Sequence, residues 1–234
     1  MWSGPRNLST AMMYSFGARS DCDVADEPFY AAYLAATGLE HPMRDEILAS
    51  QPTSGADVAR QLSDPVSAQK PHFYQKHMTH HLLPETPKSW MSGVKNVFLI
   101  RHPARVVSSY ARKREGPSLT DLGFVEQVAL FDHVCSLGQV PVVIDSADVR
   151  ADPERALKAL CAAIGLEWDA AMLHWAAGGH AQDGVWAKHW YGAVHRSTGF
   201  AEPEGELPKV PNAYLDLIDQ ALPYYRKLEN LKLV

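Results

Sequence analysis

The stretch that decides the fold is MWSGPRNLSTAMMYSF, residues 1–16, at the start of the chain. It contains a turn of small residues with one cation, Ser3–Arg6, and then the hydroxyl pair Ser9 and Thr10. Apolar residues follow at helical spacing, which predicts a helix from Ser9 to about residue 19. Because the backbone N–H groups and the dipole of a helix N-terminus attract anions, this stretch predicts a site for a phosphate or sulfate group.

The same stretch departs from the Walker A loop of nucleoside triphosphatases. A G-x-x-x-x-G-K-[ST] pattern starting at Gly4 needs glycine and lysine where the chain has Ser9 and Thr10. We therefore do not expect the usual arrangement of a lysine with Mg²⁺. A loop of this kind normally follows a buried strand at the sheet centre, but only Met1 and Trp2 precede it. The first strand is therefore expected to be truncated.

Composition predicts one globular domain, residues 1–234, because 46% of the residues are hydrophobic and 21% are charged. The net charge of −5 argues against a nucleic-acid partner. No apolar run is long enough to span a membrane and no signal peptide is visible, so we expect a cytoplasmic protein. The three cysteines are scattered, which is typical of reduced thiols.

Strand patterns alternate with helix patterns along the chain. Strands are predicted at 23–26, 72–76, 96–100 and 140–145. This alternation predicts a three-layer α/β/α fold around a central, mostly parallel sheet, similar to P-loop proteins, with ligands at the carboxyl ends of the strands. Beyond the first helix, helices are predicted at about 29–37, 44–50, 57–62, 104–114, 120–137, 153–164 and 213–231, the last with a kink at Pro223.

A second anion-binding segment follows the strand at 96–100. Arg101 stands at the end of this strand, and Ser109 comes two helical turns later. An arginine and a hydroxyl in this arrangement can grip a second phosphate. Alternatively, Arg101 caps a helix or pairs with an acidic residue.

Together, these two segments resemble the sulfotransferases that use 3′-phosphoadenosine 5′-phosphosulfate (PAPS). Ser3–Thr10 resembles the 5′-phosphosulfate loop of that family, and Arg101-x-Pro103 with Ser109 resembles its 3′-phosphate motif. The run 148–153, with its following helix, is similar to the downstream strand–turn–helix of the family. The three matches stand in family order and extend to about residue 166.

Two further runs, Asp26–Tyr30 and Gln75–His81, are similar to a less studied branch of that family. The branch includes the sulfotransferase-like region of plant proteins named as branched-chain aminotransferase-like. The chain shows no lysine in a pyridoxal-phosphate context, so aminotransferase chemistry is not expected.

The resemblance implies PAPS as donor, adenosine 3′,5′-bisphosphate (PAP) as product, and no metal. It places a helical acceptor-side insert at about 28–71 and a mobile loop over nucleotide and acceptor at about 180–211. Leu8 departs from the family, in which glycine is common there. In the mobile loop, Trp186 or Trp190 either stacks on a ring of the ligand or fills the core. The implied donor-binding residues are Arg6, Asn7, Leu8, Ser9, Thr10, Arg101 and Ser109, with Lys188, Arg196 and Ser197 from the late loop.

The catalytic candidates follow the second and third predicted strands. Lys76 precedes a histidine-rich run, and it resembles the family lysine that acts with a histidine, for which His77, His80 and His81 are all candidates. Glu27 is the rival base for the acceptor proton, unless it serves only as a structural partner. A zinc site on these histidines is disfavoured, because no H-E-x-x-H motif or nearby cysteine pair accompanies them.

The sequence thus predicts sulfuryl transfer to a hydroxyl or amine of a small-molecule acceptor. Two alternatives stay open. One is a nucleotide-dependent kinase or hydrolase on the same frame. The other is a non-catalytic protein that binds PAP or another anion.

Overall fold

The structure is a computed structural model, and it describes residues 1–64, 70–112 and 116–233. Its core is a five-stranded sheet in the order β2-β3-β1-β4-β5, in which every pairing is parallel. The predicted α/β architecture with a central parallel sheet is confirmed. The strands are β1 (Trp2–Ser3), β2 (Cys22–Asp26), β3 (His72–Met78), β4 (Val97–Ile100) and β5 (Val142–Asp145).

Strand β1 has only two residues, yet it holds the central position of the sheet. Trp2 pairs with His77 of β3 on one side and with Phe98 of β4 on the other. The Trp2 side chain is buried, and its indole N–H donates to the side-chain oxygen of Asn96 at 2.9 Å. The first strand, which we expected to be truncated, is thus short but paired along both edges.

Helices cover both faces of the sheet. Apolar side chains alternate along β4, so that Phe98 and Ile100 pack on one face while Val97 and Leu99 pack on the other. The helices are α1 (Ser9–Gly17), α2 (Tyr30–Thr37), α3 (Arg44–Ser50), α4 (Gly55–Ser63), α5 (Pro103–Ala111), α6 (Leu119–Leu122), α7 (Phe124–Ser136), α8 (Ser146–Ala151), α9 (Pro153–Ile164), α10 (Ala187–Trp190) and α11 (Leu215–Glu229).

Several element boundaries differ from the sequence prediction by one to three residues. Strand β3 extends two residues further, to Met78, and β5 begins at Val142. Helix α5 ends at Ala111, and the predicted continuation through residues 113–114 lies outside the described residues. Pro223 lies inside α11. As the sequence predicts, Asp152 caps α9, where its side chain accepts a hydrogen bond from the backbone of residue 155 at 3.0 Å.

The single helix predicted at 120–137 is divided at Gly123. This residue has φ +70°, and an added Cβ would lie 2.6 Å from Oγ1 of Thr79. At Gly4, an added Cβ would lie 2.3 Å from the carbonyl oxygen of Leu122. The break between α6 and α7 therefore lets the first loop pack directly against backbone, which fixes the loop in place.

Within the described parts of the chain, no helix has the length and apolar character needed to span a bilayer.

Candidate active site

A cleft of about 660 Å³ lies at the carboxyl ends of β1 to β4. The first loop forms one wall, while Glu27, Lys76 and Arg101 come from the ends of the next strands. Residues between 186 and 201 close the opposite side. The fold therefore brings together segments that are nearly two hundred residues apart in the sequence, from Pro5 to Ala201.

The first loop has the geometry of an anion cradle. Arg6 and Leu8 both adopt left-handed backbone conformations, with φ of 63° and 71°. Leu8 is the N-cap of α1, and no side chain caps the first turn of this helix. Its N–H groups are therefore available to an anion at the mouth of the cleft. The positive φ also explains why glycine is common at this position in the family that the loop resembles.

The two predicted anion-binding segments meet at Arg6. Its Nε donates to Oγ of Ser109 at 3.0 Å, and Nη1 of Arg101 donates to the backbone oxygen of Arg6 at 2.5 Å. Burial and the nearby Arg101 and Arg112 lower the pKa of Arg6. In the described part of the chain, Arg6 forms no ion pair with a carboxylate, so its charge favours an incoming anion.

Lys76 lies on β3 and is almost fully buried, with 1% of its side chain exposed. Its ammonium group donates to Oδ1 of Asp26 at 2.8 Å, to Oε1 of Glu27 at 2.6 Å, and to the hydroxyl of Tyr191 at 2.5 Å. Burial alone lowers the pKa of Lys76, but the carboxylates of Asp26 and Glu27 outweigh it and raise the pKa. All three hydrogens of the ammonium are thus used within the protein.

Glu27 follows β2 and has an unusual backbone, with φ +40°. Its N–H donates to the carbonyl oxygen of Lys76 at 2.9 Å, which fixes this conformation against β3. Burial raises the pKa of the Glu27 carboxyl, while Lys76 opposes that rise. The second carboxylate oxygen lies 3.8 Å from Nδ1 of His81. Strained backbone and a raised carboxyl pKa are both typical of functional sites.

Besides Asp26, to which sequence reasoning gave no role, the missed member of this cluster is Tyr191. Its hydroxyl donates to Asp26 at 2.9 Å and accepts from the indole N–H of Trp186 at 3.0 Å. Burial and the carboxylates of Asp26 and Glu27 raise the pKa of Tyr191, so its hydroxyl stays protonated at neutral pH. The only signal in the sequence was the aromatic, aperiodic character of the late loop.

The histidine candidates separate into two groups. His80 and His81 line the cleft, and the His81 ring stacks between Tyr30 and Tyr33 at centroid distances of 4.4 and 4.8 Å. Burial, together with His80, lowers the pKa of His81 well below its usual value. His77 does not line the cleft, because its ring stacks on Trp2 at 4.4 Å on the other face of the strand.

Burial lowers the pKa of His77, which makes the stability of the fold depend on pH. The unfolded chain binds this proton more readily, so stability is present above about pH 6.5 and is lost as pH falls. The free energy of unfolding of the wild type should fall between pH 7.5 and pH 5.5. In a His77→Phe variant, we expect this fall to be smaller by about 1 kcal/mol. Urea unfolding at both pH values measures this difference, with the exposed His174→Phe as control. Equal losses in the wild type and His77→Phe would contradict a buried neutral imidazole.

Only some of the residues predicted from the late loop line the cleft. Ser197 lines the cleft, whereas Lys188 and Arg196 are not among its lining residues. The Lys188 ammonium is exposed and lies 4.0 Å from Glu46. Trp186 is buried, in agreement with a core role, and it also forms part of the cleft wall beside Trp190. In the described ranges, no group of three or more histidines, cysteines and carboxylates is arranged to hold a metal ion.

Comparison with known proteins assigns this fold and site to a class. A family model described as a sulfotransferase domain matches residues 1–231, so the chain belongs to the sulfotransferase domain family. The anion loop and the parallel sheet around it are therefore those of a sulfotransferase-type protein.

The curated relatives are longer than this chain. The chain is 40% identical over 229 residues to branched-chain-amino-acid aminotransferase-like protein 1 of Arabidopsis thaliana, and 38% identical over 227 residues to protein 2 of that name. These matches cover 98% and 97% of the chain but only 41% and 40% of the relatives. The chain thus spans about two fifths of the length of these relatives.

Two solved structures share the fold. One is the sulfotransferase domain from the curacin biosynthetic pathway, with a TM-score of 0.53, 15% identity, and coverage of 95% of this chain and 96% of that one. The other is the sulfotransferase domain from the Synechococcus PCC 7002 olefin synthase, with a TM-score of 0.51, 17% identity, and coverage of 95% and 92%. At these identities, the likeness shows the fold alone.

Proposed function

We propose that the protein transfers a sulfuryl group from PAPS to a hydroxyl or amine of a small-molecule acceptor. The observation that carries this proposal is the 3.0 Å hydrogen bond from Arg6 to Ser109, which joins two anion-binding motifs 103 residues apart. Arg101 touches the same loop. Two adjacent anion-binding segments can bind a ligand that carries two anionic groups. PAPS has such groups at its 5′ and 3′ positions, whereas a single phosphate would occupy only one segment.

The donor supplies the sulfuryl group, and its 5′-phosphate is the leaving group. Arg6 and the N–H groups at the start of α1, near Ser9 and Thr10, hold the charge on that phosphate. The buried Asn7 supports this loop by donating to the carbonyl oxygen of Leu99 at 3.3 Å. Preorganised donors of this kind stabilise charge where it develops during transfer.

Glu27 is our choice for the base that takes the acceptor proton. It lines the cleft beside His80 and His81, and its raised pKa brings the carboxylate closer to working pH. Lys76 takes a different role from the one first expected, because Asp26, Glu27 and Tyr191 occupy all three of its hydrogens. Lys76 is thus a positioning residue for Glu27.

The acceptor end of the cleft is aromatic. Tyr30, His41 and Trp190 line the cleft. Tyr30 stacks on His81 at 4.4 Å, and Nδ1 of His81 lies 3.8 Å from the Glu27 carboxylate. Rings of this kind favour an acceptor with a flat, apolar body that carries its hydroxyl or amine toward the carboxylate.

Binding of PAP tests the donor assignment. At a hundred times its dissociation constant, PAP is expected to stabilise the protein by about 2.7 kcal/mol, a rise in Tm of about 5–10 °C. An Arg101→Ala variant should lose most of this rise, because one anion subsite is removed. Differential scanning fluorimetry measures both.

The control is Arg60→Ala, which removes an exposed arginine that is not among the residues lining the cleft and should keep the full response. A larger rise with ATP and Mg²⁺ than with PAP would favour a kinase or hydrolase. Absence of any PAP response would reject the proposed donor.

A further inference from the structure

A single carboxylate lies between three arginines at the edge of the cleft. Glu204 has only 3% of its side chain exposed, and it forms ion pairs with Arg101, Arg105 and Arg150. Its Oε1 lies 2.9 Å from Nη1 of Arg150 and contacts Arg101, while Oε2 lies 3.0 Å from Nε of Arg105. The cluster therefore carries a net positive charge.

The backbone beside Glu204 is held by the same arginines. Nη1 and Nη2 of Arg105 donate to the carbonyl oxygens of Glu204 at 3.1 Å and of Gly205 at 2.5 Å, and Arg150 donates to that of Glu202. Residues 201–206 form no helix or strand, and Ala201 lines the cleft. We call residues 201–206 the strap. Its attachment to these arginines is thus ionic and polar.

The three arginines suit a phosphate better than they suit a carboxylate. A phosphate monoester carries up to two negative charges and three free oxygens, whereas Glu204 offers one charge and two oxygens. Planar guanidinium groups bind such oxygens in pairs. Arg101 also reaches the first loop through Arg6, so an anion in this cluster lies next to the loop that cradles the other end of the donor.

We infer that Arg105 and Arg150 complete, with Arg101, the subsite for the 3′-phosphate of the donor, and that Glu204 occupies this subsite until the donor binds. This inference rests on the proposed function. It makes Glu204 a specificity-determining residue, because only a nucleotide with a 3′-phosphate gains enough from the arginines to displace it. A nucleotide with a 5′-phosphate alone binds the first loop and leaves the strap in place.

Calorimetric titration with PAP and with AMP tests the inference. In the full chain with Glu204→Gln, we expect PAP to bind about tenfold more tightly, because no competing carboxylate has to be displaced. AMP, which lacks the 3′-phosphate, should bind equally to wild type and variant. The matched control is Glu206→Gln, which removes one exposed negative charge from the same strap and should change neither affinity.

Two more variants test the roles of Glu204 and Arg150 separately. Glu204→Asp keeps the charge but shortens the reach, so PAP affinity should fall between wild type and Glu204→Gln. Arg150→Ala should weaken PAP binding without weakening AMP binding.

The outcomes separate the inference from the function. If the wild type binds PAP and neither Glu204 variant binds it more tightly, the inference is wrong while the proposed donor stands. Equal weakening of PAP and AMP by Arg150→Ala would also overturn it. If wild type and Glu204 variants bind no PAP at all, both proposals fail.

Discussion

Replacing Glu27 with Gln is expected to lower kcat for sulfuryl transfer by about 10²–10³-fold and to leave PAP binding unchanged. Gln keeps the size of the side chain but cannot accept the acceptor proton. The anion-binding residues belong to other strands, so the donor should still bind. Transfer from PAPS to a panel of phenols, alcohols and amines measures kcat, and calorimetry measures PAP affinity.

The pH profile strengthens this test. A base must be deprotonated to act, so wild-type kcat should fall as pH drops below the raised pKa of Glu27. The Glu27→Gln variant should lose this acidic limb. The control is Glu40→Gln, because Glu40 also lines the cleft but has 88% of its side chain exposed. If Glu27→Gln kept the wild-type kcat, Glu27 would not be the base, and His80 or His81 would be the remaining candidates.

Replacing Lys76 with Met is expected to give the largest loss of stability, about 3–5 kcal/mol. The substitution leaves Asp26 and Glu27 buried without their cation, and removing one partner of a buried ion pair is strongly destabilising. Urea unfolding at pH 7.5 measures the loss. In the control Lys158→Met, the lysine side chain that is replaced has half its surface exposed, and we expect a change within about 0.5 kcal/mol.

If Lys76 stabilises the fold by neutralising two buried carboxylates, two further results are expected. The loss should shrink at acid pH, because the Glu27 carboxyl then binds a proton and no longer needs the cation. Adding Asp26→Asn to Lys76→Met should restore part of the stability, because one of the two stranded charges disappears. If the free energy of unfolding of Lys76→Met lay within about 1 kcal/mol of the wild-type value, Lys76 would not be a buried ion-pair partner of Asp26 and Glu27, and the explanation would be wrong.

The anion-binding half of the site could be predicted because its signals are local. One signal is a helix start that combines hydroxyls with a cation. The other is an arginine at the end of an apolar strand. Each pattern fits within about ten residues of sequence, and each predicts a bound anion. The structure brings Arg6, Arg101 and Ser109 together as those patterns indicate. Their chemical role as donor ligands remains a prediction.

The proton-transfer half was harder to predict because its contacts are long-range. Tyr191 lies 115 residues from Lys76, and no local pattern in the sequence links the two. His77 was misplaced for a simpler reason. The strand continues past Lys76, and because successive side chains in a strand point to opposite faces, the residue next to a cleft residue faces away from the cleft.

The two-residue strand β1 has a consequence for how the chain acquires its structure. Its partners lie 75 residues away at His77 and 96 residues away at Phe98, so the centre of the sheet consists of distant pairings. Closing such large loops costs entropy before any strand contact compensates for it, which slows folding. During synthesis, the edge of β1 that pairs with β4 stays unpaired until Phe98 has been made, and in that interval it is a surface for chaperones or for aggregation.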